Sequence, residues 1–363
     1  MRTHRIMSFV GNGFDISVLL KFGNGVTTSY SSFYSFFKYK YPNKMNSLIA
    51  QMGEAKKSGK ENWSEFEIIL SERMKNIGKD DKDKIVELNK DLLEIQQAFS
   101  RFLNDVVNND IIDNVSTMES PCNTNLSYGY RSMSEFIGDL SEEQYKRFRF
   151  HNMVENHDEV FFTFINFNYT ALLDNYVYLD KEIFNPSPFR TSNNNFRLLT
   201  NPNGYGGHTG YNDPYCHLLS EVFHPHGYQN VPKSLLFGME PESEVYDNYD
   251  MRRKFVKSVW ARNEELYRNY FEDTKVFIIY GCSLGKSDNW WWRKIFERLV
   301  GSECAELIIY NYGTNSEEEV IDKFFEGCCL HEKDKINIAS ARENIFVINF
   351  GDSISNNIKY LQL

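Results

Sequence analysis

The residues best suited to chemistry in this sequence sit in a few short segments. Gly11-Asn12-Gly13-Phe14-Asp15 follows the apolar run Ile6 to Val10. A buried strand ending in Gly-x-Gly lets main chain approach a ligand closely. The helix that follows then offers free N–H groups and the positive end of its dipole to a phosphate. A plain tight turn after a strand is the competing reading. Asp15 suits three tasks: capping the helix, binding a sugar hydroxyl, or repelling a phosphate. The third glycine of the common dinucleotide fingerprint would fall on Ile16, and after Asp15 no Asp or Glu occurs before Glu54. The pattern of an ordinary NAD dehydrogenase is therefore missing.

Four further segments carry polar or small residues after apolar runs: Asn168, His226-Gly227, Gly281-Cys282-Ser283-Leu284-Gly285 and Asn311. In an open parallel sheet the carboxyl ends of the strands face one crevice, so these segments can meet in a single nucleotide pocket. An Asn side chain both donates and accepts, and holds a water or a hydroxyl. A histidine titrates near neutral pH and can serve as a base. His224, in the same His-Pro-His-Gly segment, competes with His226 for that task. Each residue also has a purely structural alternative: Asn168 as a helix cap, His226 as a hydrogen-bonded turn residue, Ser283 at a helix start.

Positioning these segments takes alternating strands and helices. The apolar runs predict strands at Ile6 to Val10, Glu159 to Phe167, Glu221 to His224, Leu235 to Gly238, Lys275 to Tyr280, Glu306 to Asn311 and Asn344 to Phe350. Helices are expected from about Ile16 to Leu20, from near Ala171, and from Asp288 to Val300, with Trp291, Trp292, Ile295, Phe296 and Leu299 as the apolar face of the last. The Trp290-Trp291-Trp292 run reads as packing rather than a stacking platform. The alternation predicts an α/β, Rossmann-like, mostly parallel sheet with helices on both faces. Residues 1–30 and 155–363 are the expected nucleotide-binding core. Residues 31–154 show helical spacing, as in Phe33, Phe36 and Phe37 or Leu88, Leu92, Ile95 and Phe99, and are expected to form a large helical insertion or cap. The Asn-, Gly- and Pro-rich stretch 184–213, including Ser192 to Asn195, is expected to be a long loop or lid.

Composition narrows the functional classes. The net charge of -10 over 363 residues disfavours binding to nucleic-acid backbones, but leaves room for one small phosphate ligand. The six cysteines, Cys122 among them, form no C-x-x-C pair, so neither a metal nor a disulfide framework is expected. No apolar run reaches membrane-spanning length, and the N-terminus has no secretion signal, so a cytoplasmic protein is expected.

Taken together, the segments resemble a known family. Gly11 to Asp15 followed by Gly25-Val26-Thr27-Thr28-Ser29-Tyr30 and Phe33 is similar to the N-terminal signature of the AbiH family, bacterial proteins that defend against bacteriophage by abortive infection. Trp63 with Phe66-Glu67, Phe167-Asn168-Tyr169-Thr170, His224-Pro225-His226-Gly227 and Tyr280 to Gly285 continue the likeness in order. The same islands resemble a diverged sirtuin-like NAD fold. That resemblance implies NAD as substrate or ligand, and cleavage of its nicotinamide–ribose bond. By it, Gly11, Asn12, Gly13, Phe14, Asp15, Thr28, Gly281 and Leu284 would line the nucleotide site. Asn168 would orient the ribose or the attacking water, His226 would be the general base, and Ser283 and Asn311 would contact the adenosine half. Phe14-Asp15 replaces the small residue of sirtuins, Thr170 stands where they carry Asp, and no four-cysteine zinc site exists. Protein deacylation is thereby disfavoured. A non-catalytic sensor of NAD, ADP-ribose or another nucleotide, acting through a partner, is the alternative. The expected partners are a small-molecule nucleotide, a phage-derived trigger and further copies of the chain, without membrane or nucleic acid.

Overall fold

A computed structural model describes residues 1–60, 65–78, 81–118, 128–178, 196–207, 213–239, 250–351 and 359–361. Trp63, Cys122 and most of the expected loop 184–213, namely 184–195 and 208–212, lie outside the described residues.

Seven strands form one sheet: β1 (Thr3–Val10), β2 (Glu159–Asn166), β3 (Phe196–Arg197), β4 (Tyr215–Phe223), β5 (Thr274–Tyr280), β6 (Glu306–Tyr312) and β7 (Ile345–Phe350), in the order β3-β4-β2-β1-β5-β6-β7. All neighbours are parallel except β3, which pairs antiparallel with β4. The register aligns the strand ends, pairing Val10 with Asn166 and with Tyr280 and Ile165 with Phe223. The segments after β1, β2, β4 and β5 therefore emerge along one edge.

The continuous apolar runs follow from burial on both faces. Ile6 and Val10 of β1, with Ile278 and Tyr280 of β5, enter one hydrophobic cluster, while Met7, Phe9, Phe277 and Ile279 enter the other. The first face is covered by α1 (Asn12–Phe22), with Phe14, Val18 and Leu19 buried. The helices α2 (Tyr30–Lys40), α3 (Ser47–Lys57), α4 (Phe66–Lys75) and α5 (Lys82–Val106) build a separate core with Leu235, Phe237, Met239 and Phe255. By contrast, α6 (Asn109–Ser116), α7 (Tyr128–Glu135), α8 (Glu142–Arg147) and their flanks join the sheet's first face, together with α9 (Leu172–Val177). The stretch 31–154 thus feeds two different cores. The short α10 (Lys257–Trp260) leads into α11 (Asn263–Asp273); α11, α12 (Asn289–Gly301), α13 (Glu317–Cys328) and α14 (Ile338–Arg342) cover the second face. Trp291 and Trp292 are buried there.

Three sequence expectations are corrected. Leu235 to Gly238 forms no strand: Leu235 and Phe237 are buried under helices, and only Met239 makes an isolated bridge, to Val256. A short apolar run reads the same under a helix layer as in a sheet. Helix α1 starts at Asn12 rather than near Ile16, so the second glycine and Asp15 lie inside it. Strand β4 begins at Tyr215, not Glu221, and a two-residue strand and a short turn of helix at Tyr205–Gly207 interrupt the expected loop.

Candidate functional site

The carboxyl edge of the sheet opens into a cleft of about 1970 Å³, lined by Gly11, Asn12, Gly13, Asp15, Thr28, Asn168, His226, Gly281, Ser283, Leu284 and Asn311 among others. Segments more than 250 residues apart in sequence meet there. Phe14 is the exception. It is fully buried and packs edge-on against Tyr176 at 5.3 Å, so it is a core residue rather than a ligand contact.

The glycines answer to each other before they answer to any ligand. The Gly11 N–H donates to Tyr280 O at 2.9 Å, the Gly13 N–H to Gly281 O at 3.0 Å and the Phe14 N–H to Gly11 O at 3.1 Å. A Cβ on Gly11 would lie 2.5 Å from Gly281 O, and one on Gly13 2.7 Å from Gly281 Cα. Gly281 itself has φ +66°, a conformation that only glycine adopts freely. The two turns interlock. The Gly13 and Phe14 N–H groups expected to be free for phosphate are therefore engaged by main chain. Asn12 stays exposed at the rim, accepting from the Thr28 hydroxyl at 2.6 Å.

Asp15 is not a cap. Gly11 holds the cap position of α1, and Asp15 lies within the first turn with its side chain buried. Thr170 Oγ1 donates to Oδ2 at 2.8 Å, and Oδ1, itself buried, has no partner among the described residues. Burial pushes the carboxyl up to about 7, the Thr170 hydroxyl and His224 opposing and Asp174 adding. Asn168 is fixed from three sides: its N–H donates to Asn166 Oδ1 at 3.0 Å, its Nδ2 to Gly11 O at 3.1 Å, and His224 Nδ1 lies 3.2 Å from its carbonyl. It is not a helix cap either, since α9 begins after Ala171.

The two histidines take different surroundings. His224 Nε2 lies 3.0 Å from both carboxylate oxygens of Asp174, and its side chain does not line the cleft. His226 does line it, stacked on Phe167 at 4.8 Å with Nε2 3.3 Å from Asp288 Oδ1. A carboxylate only accepts, so Nε2 carries the proton of that contact. Apart from the Phe167 and Tyr169 rings, no other side chain engages His226 among the described residues, so Nδ1 has no side-chain hydrogen-bond partner there.

Behind His226 lies a partly buried chain of charges, centred on the buried Lys257, that sequence reasoning missed. Lys257 Nζ sits 3.4 Å from Asp288 and 3.5 Å from Glu67, and the Tyr30 hydroxyl donates to Glu67 at 3.0 Å. Burial works against both charges. For Asp288 it is outweighed by Lys257 and His226, which hold the carboxyl well below the usual carboxylate range. For Lys257 it is outweighed by Asp288 and Glu67, which raise the ammonium above its ordinary value. Phe66-Glu67 was visible as a motif. Lys257 and Asp288 gave no signal, because nothing in the spacing of 67, 257 and 288 marks them as neighbours.

The remaining expected residues sit along the far wall. Ser283 is exposed and caps no helix; Leu284 is buried with φ +56°. Trp292 Nε1 donates to Gly285 O at 3.0 Å and steadies the same loop. Asn311 Nδ2 donates to Asn349 Oδ1 at 2.7 Å across β6 and β7. Burial, with Asp288 adding, drives the Cys282 thiol well above its ordinary range.

The family model for bacteriophage abortive infection AbiH matches residues 7–310. The chain belongs to the AbiH family. That span runs from β1 through β6 and holds every wall of the cleft just described except the Asn311 end. Membership assigns this AbiH chain to anti-phage defence by abortive infection. No curated protein matches it. Among the described residues of this AbiH chain, no helix is long and apolar enough to cross a membrane, and no group of His, Cys, Asp and Glu is arranged to hold a metal ion.

Proposed function

We propose that this AbiH chain binds NAD in the cleft and hydrolyses its nicotinamide–ribose bond. The observation that carries the reading is His226: it lines the cleft with its Nε2 3.3 Å from Asp288, whose carboxyl Lys257 and His226 hold well below the usual carboxylate range. The sheet supports the choice of ligand. Counted among themselves, the six parallel strands follow the order 3-2-1-4-5-6 of Rossmann-like doubly wound sheets. Such sheets bind dinucleotides where the order reverses, here between β1 and β5, at the interlocked glycine turns. A sirtuin-like arrangement of Asn168, His226, Ser283 and Asn311 around that crevice fits the same ligand.

In this mechanism water attacks C1′ of the nicotinamide ribose. The C1′–N bond breaks, nicotinamide departs neutral with the bonding pair, and the proton of the water goes to His226 Nδ1. The products are nicotinamide and ADP-ribose. The Asn168 side-chain carbonyl, whose amide is anchored on Gly11, orients the water or a ribose hydroxyl. Asp288 holds the imidazole in the tautomer that keeps Nδ1 basic, and Lys257 keeps Asp288 ionised. General-base assistance of this kind typically contributes about 10²–10⁴-fold.

The binding-only alternative rests on a specific observation: the Gly13 N–H and the Asn168 amide are already spent on the protein. One assay separates the two. Purified protein is incubated with NAD, with and without phage lysate, and nicotinamide release is followed. His226→Ala and Asn168→Ala are expected to lose turnover by about 10²-fold or more while staying folded, and His224→Ala to lose less. Tight NAD binding with no nicotinamide from the wild type under either condition would overturn hydrolysis and leave a sensor.

A further inference from the structure

We infer that Glu67 sets the specificity of the cleft: its free oxygen receives the carboxamide N–H of the ligand's nicotinamide ring, so that dinucleotides whose ring carries an amide are taken and those whose ring carries a carboxylate are turned away. This rests on the reading of the cleft as a dinucleotide site, but not on cleavage. Glu67 lines the cleft from the first turn of α4, with its side chain 20% exposed. The Tyr30 hydroxyl donates to Oε1 at 3.0 Å, and Lys257 Nζ lies 3.5 Å from the same oxygen. Oε2 has no partner among the described residues and is not sealed from solvent. A carboxylate pinned through one oxygen presents the other to whatever enters the cleft, and that oxygen can only accept.

The wall between His226 and Glu67 is aromatic. Phe167 stacks on His226 at 4.8 Å, Tyr169 lies 6.5 Å from His226 and 5.4 Å from Phe99, and Phe99 lies 5.7 Å from Tyr30, whose hydroxyl holds Glu67. All four rings line the cleft. A flat aromatic ring is the ligand group that such a wall accommodates. With the reacting carbon at the His226 end, the substituent of that ring belongs at the Glu67 end. An amide there gives Oε2 its donor. A carboxylate sets acceptor against acceptor and charge against like charge. Lys257 does not relieve that repulsion, since its one ammonium already serves both Glu67 and Asp288. Arg252, which also lines the cleft, is paired with Asp250. The acids that α4 and its N-cap bring to the cleft, Glu65, Glu67 and Glu72, outnumber the one lysine, Lys75.

Equilibrium binding, measured by calorimetry on the full chain in a His226→Ala background so that no turnover intervenes, tests this with three ligands: NAD, its deamidated form with a nicotinic acid ring, and ADP-ribose, which lacks that ring. NAD is expected to bind about 10-fold more tightly than the deamidated form. Adding Glu67→Gln should bring the two within about 3-fold and leave ADP-ribose binding unchanged, which a merely structural loss would not do. Equal affinities for the two dinucleotides, a preference that survives Glu67→Gln, or binding of ADP-ribose without NAD would each overturn the inference. Should Glu67→Gln fail to fold, Glu67→Asp, which keeps the charge but draws it back by a methylene, is expected to shrink the preference, and an undiminished preference overturns the inference equally. Binding of none of the three would remove the nucleotide reading and this inference together. A protein that prefers the amide through Glu67 yet releases no nicotinamide as wild type keeps this inference and loses the hydrolase. One that releases nicotinamide while its preference is untouched by Glu67→Gln does the reverse.

Discussion

Asp15 and Asp288 line the same cleft, Asp15 buried and Asp288 partly buried, and they are held in opposite states. Asp15 has a hydroxyl for a neighbour and is pushed up to about 7; Asp288 has a lysine and a histidine and is held far below the carboxylate range. Burial acts in the same direction on both, so the difference comes from the partners. The β5 side is a closed ionic unit in which Lys257, Asp288, Glu67 and His226 satisfy one another. The β1 side leaves one buried carboxyl oxygen unmet among the described residues. A cleft built this way keeps fixed charge behind His226 and a carboxyl near neutrality on its other wall.

Breaking the closed side comes first. Lys257→Met leaves two partly buried carboxylates without their cation and should destabilise the fold by about 1–3 kcal/mol in denaturant unfolding. Adding Asp288→Asn and Glu67→Gln should recover most of that loss; no recovery would mean that the ion chain is incidental. Next comes the open side. A carboxyl raised from 3.8 to about 7 in the fold keeps its proton where the unfolded chain has lost it. Its contribution is therefore fully present below pH 4 and lost as pH rises to 7. Asp15→Asn should flatten that slope in unfolding free energy between pH 4 and 8, with a ceiling of roughly 4 kcal/mol at the alkaline end. An unchanged slope would contradict the raised carboxyl.

A smaller effect tests the seam between the two sides. Gly281→Ala forces φ +66° on a residue with a Cβ 2.9 Å from Phe14 N. It should cost about 1–3 kcal/mol of stability and weaken nucleotide binding together with it, because the Gly11 turn must move. Retained stability would show that the turns are not interlocked in solution. The smallest change is at the rim: Thr28→Val removes the hydroxyl that Asn12 accepts and should destabilise by about 0.5–1.5 kcal/mol in thermal unfolding.

Much of this was legible in the chain. The apolar runs at Ile6 to Val10, Lys275 to Tyr280 and Glu306 to Asn311 announce strands buried on both faces, because such strands read as near-continuous hydrophobic runs rather than alternating ones, with Ser8 and Glu306 as buried polar exceptions. The small and polar residues that end them announce the cleft, because strand ends in a parallel sheet share an edge. What stayed illegible was pairing. Gly-x-Gly is the same string whether its N–H groups await a phosphate or already bind Gly281, and Leu235 to Gly238 is apolar whether a strand or a helix layer covers it. Nor does a sequence state that Lys257 will lie between Glu67 and Asp288, or that His226 rather than His224 will face the cleft. Local patterning is set by neighbours three or four residues away, and it determined the elements and the edge where they end. The charge state of Asp15, the ion chain behind His226 and the locking of the glycine turns depend on contacts between residues from 31 positions apart (Lys257 and Asp288) to 268 (Gly13 and Gly281), and only the folded packing brings those partners together.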